Sequence, residues 1–176
     1  MHQLSLLLKD ISSLLGKNKY RVILILFNRA FYGILSYRID RSFFLIFGSF
    51  YKYIRILLSP FFFLMQILSN CDIHYKANIK GGINIHHPSL GIVISGKAII
   101  GEKITLNGGN VIGIKNNKFN SNIIIGDNCN LGANSCVIGP LKLGDSIKIG
   151  AMACVTNDFT NSNAILIGIP AKLKTV

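Results

Sequence analysis

At 176 residues the chain has room for one ordinary domain, or for one domain with a helical appendage. Half of it is hydrophobic, 15% is charged and the net charge is +12, so it is more apolar than a usual soluble domain, where about a quarter of residues carry charge. Four cysteines without a CxxC pair or Cys/His ligand spacing argue against a metal centre, and the N-terminus does not read as a cleavable signal peptide.

Residues 1–70 hold nine Lys/Arg against two Asp, and residues 71–176 hold ten against five. A basic balance of this kind suits nucleic acid, an anionic membrane face or a phosphorylated small molecule. Nucleic acid ranks last, because the aromatics lie in apolar stretches and no RNA-binding motif is present. Cys71, Cys129, Cys136 and Cys154 are expected as free thiols of a reducing compartment, used as small packing residues.

The first segment, 1–70, reads as helices. Leu4, Leu7, Leu8, Ile11, Leu14 and Leu15 fall at helical spacing, and Gly16 suits a stop. Residues 20–40 predict a second helix with Phe27, Ala30, Phe31, Ile34 and Leu35 on one face. Residues 42–69 are the most apolar, and Pro60 is expected to kink or end a helix there. A spanning helix needs about 20 predominantly apolar residues, and no such window here lacks both charge and proline. Two readings remain open. One is a helical subdomain that packs on itself, on the rest of the chain or between subunits. The other is an element lying in the membrane interface, with Phe/Leu inward and Lys/Arg toward lipid phosphates.

From Ile73 to Phe159 an aliphatic residue recurs every six positions. The series is Ile73, Ile79, Ile85; after a slip, Ile94, Ile100, Leu106, Ile112; after a second slip, Ile125, Leu131, Val137, Leu143, Ile149, Val155. The next position is often Gly. The position four residues on is often small: Ala77, Ser89, Ala98, Cys129, Ser135, Ala153. Each aliphatic is expected to point into a narrow core and to stack on its copy one coil away, with Gly or Asn at the bends. The predicted fold is mainly β, a parallel β-helix over 71–176 preceded by the α-helical N-terminal segment. The two slips, around His86–Gly91 and Ile114–Asn122, must be pushed outward, and loops on a rigid scaffold are where chemistry tends to sit.

The hexapeptide pattern, the element Asp72-Ile73-His74, the segment from Ile85 to Ile94 and the terminal Gly168–Lys172 resemble the serine acetyltransferase branch of the hexapeptide acyltransferases. The resemblance covers about 71–176. It implies a left-handed β-helix, a homotrimer with the active site between subunits, acetyl-CoA as co-substrate and a hydroxyl as acceptor, with no metal. In that family the Asp is paired with a His fifteen residues later, which here is His87. The resemblance makes His87 the general base and Asp72 the group that orients its ring, and nearly one coil of separation lets the two meet on adjacent rungs. His74 reads as a turn residue. It further implies acceptor contacts from His86, Lys118 and Asn120. Gly113, Ala133 and Ala151 would hold the donor's arm, and Lys148 and Lys172 its phosphates.

Departures from the family pattern bear on the acceptor. The Arg-His pair that grips the substrate carboxylate is replaced by Lys118-Phe119-Asn120-Ser121. The Asp that holds the amine is His86, and a Glu after the His is Gly96. The expected activity is therefore acetyl transfer to a sugar hydroxyl of a bacterial capsule, exopolysaccharide or O-antigen precursor, at the inner face of the cytoplasmic membrane. Serine O-acetylation in cysteine biosynthesis is one alternative, and a non-catalytic scaffold at the membrane is another.

Overall fold

The computed structural model describes residues 2–16, 19–115 and 122–174. It opens with α1 (His2–Leu15), a 3₁₀ segment (Lys19–Phe27), α2 (Arg29–Phe47) and α3 (Tyr51–Ser69). Gly16 ends α1 with φ +56°. Asn28 caps α2, its side chain accepting from the Ala30 N–H at 2.9 Å. The second helix thus starts later than the apolar spacing suggested, and Phe27 lies outside it, 81% exposed. Its buried face is Ala30, Gly33, Ile34 and Tyr37. Pro60 sits inside α3, which continues to Ser69.

The rest is a parallel coil with three faces. The first carries β1 (Cys71–Ile73), β4 (Ile92–Ile94), β7 (Asn110–Ile114), β10 (Cys136–Gly139) and β13 (Cys154–Val155). The second carries β2 (Asn78–Ile79), β5 (Ala98–Ile100), β8 (Ile123–Ile125) and β11 (Leu141–Leu143). The third carries β3 (Asn84–Ile85), β6 (Thr105–Leu106), β9 (Asn130–Leu131), β12 (Lys148–Ile149), β14 (Ile165–Ile167) and β15 (Lys172–Leu173). Among the described residues only β14–β15 is antiparallel, which turns the chain back at the end of the coil.

The six-residue period dictates this register. Ile73 pairs with Ile94, Ile94 with Ile112, Ile112 with Val137 and Val137 with Val155. Ile79, Ile100, Ile125 and Leu143 stack on the second face, and Ile85, Leu106, Leu131 and Ile149 on the third. All are buried. Each contributes about 1.5–3 kcal/mol by leaving water. The small-residue expectation holds at Ala77, Ala98, Cys129, Ser135 and Ala153. It fails at Ser89, which the first slip leaves exposed. The equivalent slot between the second and third faces is also filled by Ile83, Ile104 and Ile147, all buried.

A solenoid's first coil leaves strand edges and corner groups without a neighbour above. Here α1 and α2 supply one. The Asp10 carboxylate is fully buried and accepts from the N–H groups of Gly82 (2.7 Å) and Ile83 (2.9 Å). Arg38, 2% exposed, pairs with Asp10 at 2.8 Å and donates to the carbonyls of Ile79 (2.8 Å) and Lys80 (2.7 Å). The Tyr37 hydroxyl donates to Ala77 O (2.8 Å) and accepts from Ile79 N (3.2 Å). At Gly33 a Cβ would lie 2.8 Å from Cys71 Cβ, so only glycine lets α2 approach β1 this closely. One core runs from Ala30, Ile34 and Tyr37 into the coil.

Candidate active site along one corner of the coil

The first slip falls at the corner between the third and first faces. His86 N donates to Leu106 O (2.8 Å), Asn107 N to Leu131 O (3.1 Å), and Gly132 N to Ile149 O (2.8 Å). Carrying this register one residue onward lines up His87, Gly108, Ala133 and Ala151 on successive coils. Gly108 has φ +90°, and a Cβ there would lie 2.5 Å from the His87 carbonyl oxygen. A larger residue would therefore push the His87 coil away. The backbone N–H groups of Ala133 and Ala151 donate to no partner among the described residues. This corner thus presents a histidine at one end and small residues with free backbone donors beneath it.

His87 itself is in the left-handed region (φ +48°) and precedes a short 3₁₀ turn, Pro88–Leu90. Histidine is among the non-glycine residues that adopt this conformation more readily. The turn is closed by bonds from Leu90 N to His87 O (3.1 Å) and from Gly91 N to Pro88 O (2.9 Å). It absorbs the extra residues of the slip and leaves both His86 and His87 exposed. The Asn84 amide lies 3.2 Å from His86 Nε2.

Asp72 points outward from β1 and pairs across the ladder with Val93. His87 closes the coil that Asp72 opens. The Asn70 side chain donates to Ser89 O at 2.9 Å, which ties together segments two residues from each. Among the described residues no hydrogen bond joins Asp72 to His87. Asp72 also borders a cleft of about 170 Å³ between α2, α3 and β1, with Tyr37, Asp40, Arg55 and Gln66 in its wall. Arg55 pairs there with Asp40 at 3.2 Å, and the Tyr51 hydroxyl donates to the same carboxylate. Burial, then that hydrogen bond, pushes the Tyr51 hydroxyl pKa up. Reading the sequence missed this cleft. The signal for it was the spacing of Arg55, Ser59 and Gln66 on a mostly apolar helix.

The other expected residues divide by location. Lys148 and Lys172 are exposed on the third face, opposite Asn130 and Ile165, and opposite Ile167. Gly113 lies past the corner, on the first face, opposite Ile138. Lys118 and Asn120 lie outside the described residues. The ends of their segment, Lys115 and Asn122, join β7 to β8 and so belong to a different corner from His87. His74 is a turn residue, as its place suggested: its Nδ1 accepts from Lys76 N at 3.1 Å, and its ring stacks on Tyr75 at 4.5 Å. Burial, then Arg55 and Lys76, holds its pKa below the ordinary 6.5. All four thiols are free, and burial raises Cys71 to about 11.

The family model for the hexapeptide repeat of succinyl-transferase matches residues 122–156. No curated protein matches the chain in sequence. Among solved structures, the chain is similar to Neisseria gonorrhoeae serine acetyltransferase in complex with serine, at 22% identity and TM-score 0.80, covering 98% of this chain and 69% of that one. Soybean serine acetyltransferase apoenzyme gives 24% and 0.81, with 98% and 69% covered. Serine acetyltransferase from Brucella abortus strain S19 gives 20% and 0.76, with 97% and 68% covered. The chain therefore carries hexapeptide repeats on a left-handed β-helix behind a helical segment, the fold of those proteins.

Proposed function

We propose that the protein is an acyltransferase that moves an acetyl group from acetyl-CoA to a hydroxyl, with His87 as general base. The observation that carries this is the corner on which His87 stands in register with Gly108, Ala133 and Ala151. His87 takes the proton of the acceptor hydroxyl as its oxygen attacks the thioester carbonyl. The tetrahedral intermediate then collapses, and the departing sulfur takes that proton back as a thiol. Neutral imidazole suits the task because its ordinary pKa is near neutrality. Asp72 is the positioning residue; the bond from Asn70 to Ser89 ties its strand to the turn that carries His87. The free N–H groups of Ala133 and Ala151 suit amide carbonyls of the donor's arm, with Lys148 and Lys172 as point charges for its phosphates.

The comparisons favour serine as the acceptor, because the similar solved structures are serine acetyltransferases and one holds serine. They rank this reading above the sugar hydroxyl that the sequence put first. The sugar reading keeps one specific support: His86, Gly96 and the Lys118–Ser121 stretch stand where a clamp for an amino acid's two charges is expected. A homotrimer with the active site between subunits is the assembly that the resemblance implies. The test is thiol release from acetyl-CoA with serine and, separately, with an oligosaccharide. Turnover on serine alone removes the sugar reading, and turnover on the oligosaccharide alone removes serine. Release with neither leaves the scaffold reading.

A further inference from the structure

The α3 helix is amphipathic the wrong way round for a helix facing water. Tyr51, Arg55, Phe62 and Ser69 mark its inner stripe, packed toward α2 and the coil. The outer stripe is Tyr53, Ile56, Leu57, Phe61, Leu64 and Ile67, with no charge in it. Leu57 is 82% exposed and Ile56 69%. Beside the C-terminal end of this stripe, Arg29 donates to Leu68 O at 2.9 Å. That bond brings in the preceding segment, where Val22, Ile23, Leu24, Leu26 and Phe27 are also exposed. An apolar surface of this extent on a folded chain marks an interaction site.

Charge decides what covers it. The first 70 residues contain two acidic side chains, Asp10 and Asp40. Both are buried and ion-paired, to Arg38 and Arg55. Every exposed charge on the described helical segment is therefore positive. Lys52 lies at one end of the outer stripe and Arg29 at the other, both exposed. A second copy laid face to face would set positive on positive with no acid to answer it. Lipid phosphates at the rim of an apolar bed answer both features.

We infer that the outer face of α3, with the Val22–Phe27 stretch beside it, docks the protein in the plane of an anionic lipid bilayer. The stretch Arg29–Ser69 is long and apolar enough to cross a membrane. The apolar part of that stretch is α3, however, and crossing there would carry Lys52 and Arg55 into hydrocarbon and strip Arg55 from the buried Asp40 carboxylate. A one-sided apolar face calls for in-plane contact. This inference stands apart from the acetyl-transfer reading, since membrane binding needs no turnover.

The test is flotation of the full chain with phosphatidylcholine vesicles, with and without roughly one-third phosphatidylglycerol. The wild type is expected to float with the anionic vesicles and about tenfold less with neutral ones. The double variant Leu57→Glu/Ile67→Glu lowers flotation by about tenfold or more, with thermal midpoint and turnover unchanged. Lys52→Glu weakens binding to anionic vesicles only. Absence of wild-type flotation, or flotation that the double variant does not change, overturns the inference. So does sedimentation showing a self-association that the double variant abolishes while vesicles are ignored: the face would then be a contact between copies.

Discussion

Replacing Arg38 with Met removes the cap of the first coil while keeping most of the side chain's apolar bulk. Four groups lose their partner at once: the Asp10 carboxylate, the carbonyls of Ile79 and Lys80, and the Gln3 amide oxygen. Asp10 is fully buried, so its charge keeps the Gly82 and Ile83 N–H groups but loses its counter-ion. Breaking a buried pair by removing one partner costs about 3–5 kcal/mol. Each stranded buried carbonyl adds about 1–3 kcal/mol where water cannot reach it. Water entering at the open end of the coil offsets part of that, so the expected loss is about 4 kcal/mol. At about 2–4 °C per kcal/mol for a chain of this size, the thermal midpoint falls by roughly 8–16 °C. The assay is far-UV circular dichroism on heating, paired with urea unfolding. The double variant Asp10→Leu/Arg38→Met is expected to be more stable than Arg38→Met alone, because it buries no lone charge. A loss below about 1 kcal/mol for Arg38→Met would refute the capping argument.

Acid should weaken the fold through His74. Its folded pKa lies below 6.5, so protonation is costlier in the folded than in the unfolded chain. Its contribution is whole above that ordinary value and is lost as pH falls through the lower folded one. Urea midpoints should therefore decline below about pH 6.5, and decline less in His74→Gln. On the corner, Ala151→Trp should raise KM for acetyl-CoA by about tenfold with kcat little changed, because it obstructs binding rather than chemistry. Ala151 is exposed, so the thermal midpoint should stay put; equal KM values would remove Ala151 from the donor track.

The coil was legible because its period is local: Ile73, Ile79 and Ile85 announce three faces before any contact is known, and the ladders pair them accordingly. Both slips were legible as breaks in that count, and the first does form the outward turn that carries His87. What filled the corner slot was less so. Ile83, Ile104 and Ile147 show that the bend between the second and third faces has room that the small residues elsewhere did not suggest. The cap was invisible. Asp10 and Arg38 meet backbone groups at Ile79–Ile83, far along the chain, and nothing in their own neighbourhoods marks them as anything but surface charges. The helical face of Phe27, Phe31 and Leu35 was misplaced for a related reason. In a stretch apolar on nearly all sides, periodicity cannot say which side is covered: Ala30 and Ile34 of the expected face are buried, but Gly33 and Tyr37 share that face in place of Phe27, Phe31 and Leu35. The corner shared by His87, Ala133 and Ala151 needed the register, which bare spacing could not supply across a slip.

His87 as the base of the proposed acetyl transfer is read from the rate of thiol release from acetyl-CoA, with the accepted hydroxyl compound present, in wild type and in His87→Ala. A fall in kcat of about 10²–10⁴-fold is expected, with the thermal midpoint lowered by only a few degrees. A His87→Ala rate within about twofold of wild type would contradict it.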